Sequence, residues 1–136
     1  MHVGTDIVHI PSFAAQLGTP GSTFKQVFTE RELHDCAAKP SRESSLAARW
    51  AAKEAYVKAW SQSLYGLPPV LDSVDFGDIE VVPDAFGRIA IALRGEVGKV
   101  GPPAQSLSVS HDGDYAVAVC VVGPQGGSFT GNLSTP

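Results

Sequence analysis

Two carboxylates occupy positions where an apolar side chain would be expected, and their type and placement could carry chemistry. Asp6 lies among β-branched residues in VGTDIV (3–8), which alternates like a strand. Glu54 lies in LAARWAAKEAYVKAW (46–60), which is rich in alanine and has no Gly or Pro, so it predicts a helix. Because burying an unpaired carboxylate is costly, each one needs a cation, a metal ion or a set of hydrogen bonds to compensate it.

The side of the predicted helix that carries Glu54 is its most apolar side. At about 100° per residue, small and apolar side chains fall beside Glu54 and leave room for a ligand or another element. The residues on this side are Ala47, Trp50, Ala51, Val57 and Lys58. Lys58 lies one turn after Glu54 and can point into the same space. Arg49 falls on the opposite side with Ala52 and Tyr56, so we do not expect it to reach the same ligand.

Both carboxylates also have ordinary explanations. Glu54 and Lys58 have the i, i+4 spacing of an ion pair at the edge of a core helix. Asp6 could instead cap the end of its strand or the following turn. Spacing alone leaves these alternatives open beside a ligand-binding role.

The other elements predict an α+β fold in which one long helix positions Glu54. Helices are predicted at 12–17, 29–38 and 95–100, a helical turn at 23–28, and strands at 3–8, 75–82, 88–93, 107–110 and 115–122. Thr29 and Glu32 fit a capping box, and residues 111–114 fit a hairpin turn with Asp112-Gly113 as the turn pair. This order predicts a single domain with a long central helix packed on a mostly antiparallel sheet.

Composition limits the class of protein. The chain has 136 residues, is 43% hydrophobic and has a formal net charge of −4, which fits one folded domain. It has no basic cluster typical of nucleic-acid binding, no apolar run of ~20 residues and no signal-peptide pattern, and its two cysteines make no disulfide framework. We therefore expect a cytoplasmic protein that binds neither nucleic acid nor membrane, folded over 1–122, with a disordered Gly- and Ser-rich tail over 123–136.

Three fragments together resemble one enzyme family. They are GTDIV (4–8), RWAAKEAYVK (49–58) and LSVSH (107–111). Their order and spacing resemble the holo-[acyl-carrier-protein] synthase family of 4′-phosphopantetheinyl transferases, whose pattern is roughly Gly-x-Asp-Ile-Val, Arg-Phe-Ala-x-Lys-Glu-Ala-x-x-Lys and Ser-x-Ser-His. Trp50 replaces the usual Phe, which is a conservative change. The resemblance runs from about residue 3 to residue 122 and implies the 4′-phosphopantetheinyl transferase-like fold.

The resemblance implies a reaction and a metal ion. The family transfers phosphopantetheine from coenzyme A to a serine of apo acyl carrier protein, which releases 3′,5′-ADP and supplies holo carrier protein for fatty acid biosynthesis. Asp6 and Glu54 would bind Mg²⁺, a hard cation that uses few protein carboxylates and completes its shell with water and phosphate oxygens. Lys58 would neutralise or protonate the departing phosphate, which makes Asp6, Glu54 and Lys58 the predicted catalytic residues.

Five residues would contact coenzyme A, and some of them would act between subunits. Arg49, through its fork, and Lys53, as a point charge, are candidates for its phosphates, together with Lys58. Ser110 and His111 would contact the coenzyme at the end of their strand. Since the family forms trimers with active sites between subunits, the resemblance implies a homotrimer in which Arg49 serves a neighbouring subunit's ligand. The alternative for Arg49 is a solvent-side salt bridge.

The chain departs from the family pattern in two places. The central helix is followed by SQSLYG (61–66) instead of the frequent Gly-Thr-Gly. The first helix, in HIPSFAAQ (9–16), lacks the arginines that often meet the acidic carrier protein, so docking would rely more on apolar contact and depend less on salt. A non-catalytic module that binds coenzyme A or nucleotide therefore remains an alternative, as does a small structural protein in which Glu54 and Lys58 merely pair.

Overall fold

The computed structural model describes residues 1–124, and their element order confirms the α+β prediction. The strands and helices are β1 (His2–His9), α1 (Ile10–Leu17), α2 (Glu30–Ala37), α3 (Arg42–Ser63), β2 (Ile79–Pro83), β3 (Ile89–Leu93), α4 (Gly95–Val100), β4 (Ala104–Asp112) and β5 (Tyr115–Val122). Short 3₁₀ helices lie at Phe24–Val27 and Phe76–Asp78. The second of these replaces the first residues of the strand predicted at 75–82.

The strands form two antiparallel sheets rather than one. The larger sheet has the order β1-β5-β4, and β2 pairs with β3 in a separate hairpin. In the larger sheet Asp6 pairs with Ala118, which in turn pairs with Val109. Helix α3 packs on one face of this sheet and also contacts α1, α2 and β2, so it is the centre of the fold.

Helix α3 begins four residues earlier than the sequence pattern predicts. The Ser41 hydroxyl accepts a hydrogen bond from the Ser44 backbone N–H and caps the helix, so the residues predicted as a lead-in are its first turn. At the other end, α3 extends to Ser63.

The buried residues of α3 lie on several sides of the helix and include Arg49, Lys53 and Tyr56. Glu54 and Val57 are half-buried and Lys58 is exposed, so the side that the pattern predicts to be the most apolar is half open.

Gly4 allows β1 to lie directly against α3. A Cβ atom at this position would clash with the backbone of Ala55 and Ala59. Glycine has no Cβ, so the strand and the helix approach closely enough to bring Asp6 beside the helix face of Glu54 and Lys58. The space that the glycine leaves is thus occupied by the backbone of α3.

The hairpin between β4 and β5 turns one residue later than predicted. Asp112 pairs with Tyr115, so the turn residues are Gly113 and Asp114 instead of Asp112 and Gly113. Gly113 has φ 57°, and glycine adopts this left-handed conformation without strain. As a result, His111 lies within β4, paired with Ala116, and not in the turn.

The first residue of the predicted tail is hydrogen-bonded to the folded domain. Gly123 is buried, and its N–H donates to the Pro103 carbonyl at 2.9 Å. The rest of the predicted tail, from residue 125, lies outside the described residues. Within residues 1–124, no helix is both long and apolar enough to cross a bilayer.

Candidate active site

The first strand and the long helix bring Asp6, Glu54 and Lys58 together. The Lys58 ammonium donates to Asp6 Oδ1 at 2.8 Å, and the Asp6 side chain is only 10% exposed. The ion pair of Lys58 therefore joins β1 to α3 rather than joining two turns of one helix. This contact also gives Asp6 a role beyond capping its strand.

The carboxylates of Glu54 and Asp6 influence each other's charge, and this affects the pKa of Glu54. Burial raises the pKa of Glu54 above its ordinary value, the neighbouring Asp6 raises it further, and Lys58 opposes both effects. The hydrogen bond to Asp6 in turn raises the pKa of Lys58. The single ammonium of Lys58 thus interacts with two carboxylates. The cluster keeps a net negative charge, which a further cation can neutralise.

The donor set fits Mg²⁺. Carboxylate oxygens are hard ligands, and Mg²⁺ is commonly held by one or two of them plus water and substrate phosphate. Among residues 1–124 no group of three or more His, Cys, Asp or Glu side chains could form a metal cage. A site of two carboxylates, completed by a phosphorylated substrate, matches this arrangement.

Lys53 does not lie in this cluster. Its ammonium is fully buried and pairs with Glu32 Oε1 at 2.9 Å. It also donates to the backbone carbonyls of Phe76 at 2.8 Å and Ile79 at 2.7 Å. The predicted phosphate contact does not fit this position, because all three ammonium hydrogens have partners inside the protein.

Glu32 is a residue whose part in the fold the sequence pattern only half revealed. As predicted, it completes the capping box with Thr29. Its second oxygen also accepts from the Val81 backbone N–H at 2.7 Å, while its first pairs with Lys53. The capping signal was visible, but nothing in the spacing of these residues indicated the contacts to α3 and β2.

Arg49 lies on the side of α3 opposite to Glu54, as the helical wheel predicts. Its side chain is only 6% exposed, which excludes the alternative of a solvent-side salt bridge. The buried Nε has no hydrogen-bond partner among residues 1–124. Arg49 lines a cavity of about 330 Å³ between α2 and the β2–β3 turn, together with His34, Lys39 and the carboxylates of Asp35 and Asp84.

Ser110 and His111 lie on opposite faces of the sheet. Successive side chains alternate along a strand, so His111 shares the α3 face with Asp6 and Val109. Ser110 is level with Ile7 on the outer face. Both residues are exposed. One subunit therefore does not bring the two together at the carboxylates.

Comparisons with known proteins place this geometry in a family. The family model of the 4′-phosphopantetheinyl transferase superfamily matches residues 2–120. A holo-[acyl-carrier-protein] synthase of Corynebacterium glutamicum is 50% identical over 129 residues, which cover 88% of this chain and 96% of the relative.

Solved structures support the same family assignment. A complex of ACPS with CoA from Chronobacterium ammoniagenes has a TM-score of 0.81 and 54% identity, covering 88% of this chain and 93% of that one. The acyl carrier protein synthase of Mycobacterium tuberculosis has a TM-score of 0.72 and 38% identity, covering 90% and 96%. The chain therefore belongs to the 4′-phosphopantetheinyl transferase superfamily, as a member of its holo-[acyl-carrier-protein] synthase family.

Proposed function

We propose that this chain transfers the 4′-phosphopantetheine group of coenzyme A to a serine of an apo acyl carrier protein, with Mg²⁺ as cofactor. The serine oxygen bonds to the phosphorus next to the pantetheine arm, the bond from that phosphorus to the bridging oxygen breaks, and 3′,5′-ADP leaves. The serine proton passes to solvent. The product is holo carrier protein for fatty acid biosynthesis.

The observation that carries this proposal is the cluster of Asp6, Glu54 and Lys58 across two elements. Asp6 and Glu54 would hold Mg²⁺, which when bound neutralises charge on the diphosphate and polarises the phosphorus. Lys58 is 54% exposed, so its ammonium can exchange Asp6 for a phosphate oxygen as charge develops on the leaving group. The hydrogen bond to Asp6 raises the pKa of Lys58, which favours its cationic form.

The Arg49 cavity supports a second contact to the coenzyme. A buried guanidinium with an unpartnered Nε favours an anionic ligand, and His34 and Lys39 add donors at the same cavity. The carboxylates of Asp35 and Asp84 also line the cavity and oppose an anion, so the unpartnered guanidinium carries this argument. Because Arg49 faces away from Asp6 and Glu54, this contact is proposed for a coenzyme whose diphosphate lies on a neighbouring subunit. Ser110 and His111 are proposed to contact a coenzyme in the same assembly.

The outer face of the larger sheet supports self-association, for which the family resemblance implies a homotrimer. Four apolar side chains on this face are substantially exposed: Val3 at 56%, Ile7 at 63%, Tyr115 at 48% and Val119 at 39%. An exposed apolar face of this kind marks an interaction surface. Ser110 lies on the same face, so an assembly through it would bring Ser110 of one copy to another. Analytical ultracentrifugation of the wild type and of Val119→Glu tests this assembly.

A mass measurement tests the reaction. The protein is incubated with coenzyme A, Mg²⁺ and an apo acyl carrier protein, and the carrier is weighed. A gain of one phosphopantetheine, lost when EDTA is added, supports the proposal. Coenzyme binding without transfer would instead favour the non-catalytic binding module, and absence of both would favour the structural protein.

A further inference from the structure

The ammonium of Lys58 lies on a carboxylate that the proposed metal ion would also use. Lys58 donates to Asp6 Oδ1 at 2.8 Å, and it is the ion-pair partner of Asp6 within residues 1–124. Asp6 is at the same time one of the two residues proposed to hold Mg²⁺. Two cations would thus compete for one side chain that is only 10% exposed.

The charges of the cluster favour one of these cations over both together. Asp6 and Glu54 carry two negative charges, which a divalent metal ion neutralises by itself. If the ammonium stayed on Asp6 as well, the cluster would have a surplus positive charge beside a largely buried carboxylate. Like charges repel each other strongly at such distances, because little water lies between them. The hold of Asp6 on the ammonium is therefore weaker when the metal ion is bound.

Lys58 is placed so that it can leave Asp6 and find a second anion. Its side chain is 54% exposed, so water solvates the ammonium as soon as the ion pair opens. Lys58 also lies one turn after Glu54 on the same side of α3, within reach of a phosphate held at the carboxylates. Lys53 has no such freedom, because its ammonium is fully buried against Glu32.

We propose that Lys58 couples the binding of the metal ion to the binding of coenzyme A, by exchanging Asp6 for a phosphate of the coenzyme. On Asp6 the ammonium opposes the metal ion. On the phosphate it leaves Asp6 to the metal ion, so the coenzyme tightens metal binding and, by linkage, the metal ion tightens coenzyme binding by the same factor. The inference rests on the proposed function, since the metal ion and the diphosphate must lie at Asp6 and Glu54.

Binding of Mn²⁺ to the protein with and without coenzyme A tests the proposal. Mn²⁺ takes the same oxygen ligands as Mg²⁺, and electron paramagnetic resonance counts the free ion directly. The Kd of Mn²⁺ is measured for the wild type, Lys58→Met and Lys58→Arg, and a titration of coenzyme A alone corrects for binding to the free coenzyme. Lys99→Met is the matched control, because it removes the same charge from an exposed lysine that pairs with Glu96 at 3.2 Å.

We expect Lys58→Met to tighten Mn²⁺ binding to the protein alone by about tenfold or more, the factor by which a paired opposite charge changes the affinity of a carboxylate for a proton. With coenzyme A bound, this variant should bind Mn²⁺ no more tightly than the wild type, because the wild-type ammonium has then left Asp6. Lys58→Arg keeps a cation on Asp6, so its binding of Mn²⁺ without the coenzyme should stay weak. Lys99→Met should match the wild type in both measurements.

Three results would overturn the exchange. In the first, Lys58→Met leaves Mn²⁺ binding to the protein alone unchanged. In the second, it tightens Mn²⁺ binding by the same factor with and without coenzyme A, because Lys58 would then act only as a fixed nearby charge. In the third, it weakens Mn²⁺ binding to the protein alone, because Lys58 would then hold Asp6 in place for the metal ion. Circular dichroism checks the fold, and Lys58→Gln repeats the measurement if Lys58→Met does not fold.

Weighing the carrier with the same preparations keeps this proposal separate from the proposed reaction. If the wild type modifies the carrier in the presence of Mg²⁺ but Lys58→Met shows no coenzyme-dependent change in Mn²⁺ binding, the reaction stands and the exchange fails. If the expected pattern of Kd values is found but the carrier is not modified, the exchange stands and the reaction fails.

Discussion

Two lysines of α3, little more than one turn apart, have opposite surroundings. The Lys53 ammonium is fully buried, pairs with Glu32 and also donates to two backbone carbonyls. The Lys58 side chain is 54% exposed and its ammonium has one ion-pair partner, Asp6. Burial dominates at Lys53, where it lowers the pKa, whereas the hydrogen bond to Asp6 dominates at Lys58 and raises it.

This difference indicates that Lys53 supports the fold, whereas Lys58 is available for chemistry. The buried pair is worth little as a net gain, yet losing either partner leaves an uncompensated charge in the interior. In the open pair only the Lys58 side is well screened by water, because the Asp6 side chain is 10% exposed. The ammonium can therefore change partners when another cation, such as the proposed metal ion, compensates Asp6. We therefore expect substitutions at Lys53 to affect folding and substitutions around Lys58 to affect turnover.

The largest effect is expected at the two carboxylates. Glu54→Gln and Asp6→Asn should lower turnover about a thousandfold or more, since the several kcal/mol that a bound metal ion supplies correspond to that factor. The fold should persist, as checked by circular dichroism. Steady-state transfer assays over a range of Mg²⁺ concentrations measure the loss. If both variants keep Mg²⁺-dependent rates, these residues do not hold the metal.

Replacing Lys53 should cost a free energy of similar size, but this loss appears in the stability of the fold instead of in turnover. Lys53→Met leaves the buried Glu32 carboxylate without its cation and should lower the free energy of unfolding by about 3–5 kcal/mol. Urea denaturation measures it. The double variant Lys53→Met/Glu32→Gln removes both charges and should recover part of the loss. Equal destabilisation by Lys53→Met and by Lys58→Met would contradict the contrast between the two lysines.

Lys58 should show the reverse pattern. Lys58→Ala should lower the free energy of unfolding by less than Lys53→Met does, because water reaches the Lys58 side of its pair although Asp6 is only 10% exposed. Turnover should fall about a hundredfold while the Kd of coenzyme A changes much less, because the charge is needed most when the leaving phosphate develops. Kinetics and calorimetry on one preparation separate the two quantities. An unchanged turnover number would exclude this role.

The smallest expected effect is the contribution of Glu54 to the pH dependence of the protein's stability. Its pKa is higher in the folded state than in the unfolded chain, so ionisation of Glu54 destabilises the fold as the pH rises through the folded-state pKa. Glu54→Gln should therefore be more stable than the wild type at neutral pH without metal, and the difference should shrink as the pH falls. Thermal unfolding in EDTA measures it. A difference that grows on acidification would reverse the assigned sign.

Sequence patterns located the elements but not all of their contacts. Alanine content and the absence of Gly and Pro were enough to find α3, and alternation was enough for β1 and the two hairpins. The start of α3 was missed because Ser41 acts as the cap only in its actual backbone conformation. The β4–β5 turn was misplaced by one residue because strand register, not the Asp-Gly pair alone, decides which residues turn.

The carboxylates could be found because each conflicts with its local pattern, but the site they make required the fold. Helical spacing pointed to a pair between Glu54 and Lys58, whereas the ammonium bonds Asp6 on another element. It is the close approach of β1 to α3 at Gly4 that creates this contact. Spacing within one helix cannot report a distance to a strand far away in sequence.

The sequence by itself determined the α+β class, the long helix, and the family through three short motifs. Only the tertiary structure decided which of the charged residues of α3 are available to a ligand. The motif presents Lys53 and Lys58 as equivalent cations, and burial separates them. The physical reason is that desolvation and pairing depend on what packs around a side chain, and for Lys53 those neighbours come from α2 and from the segment before β2.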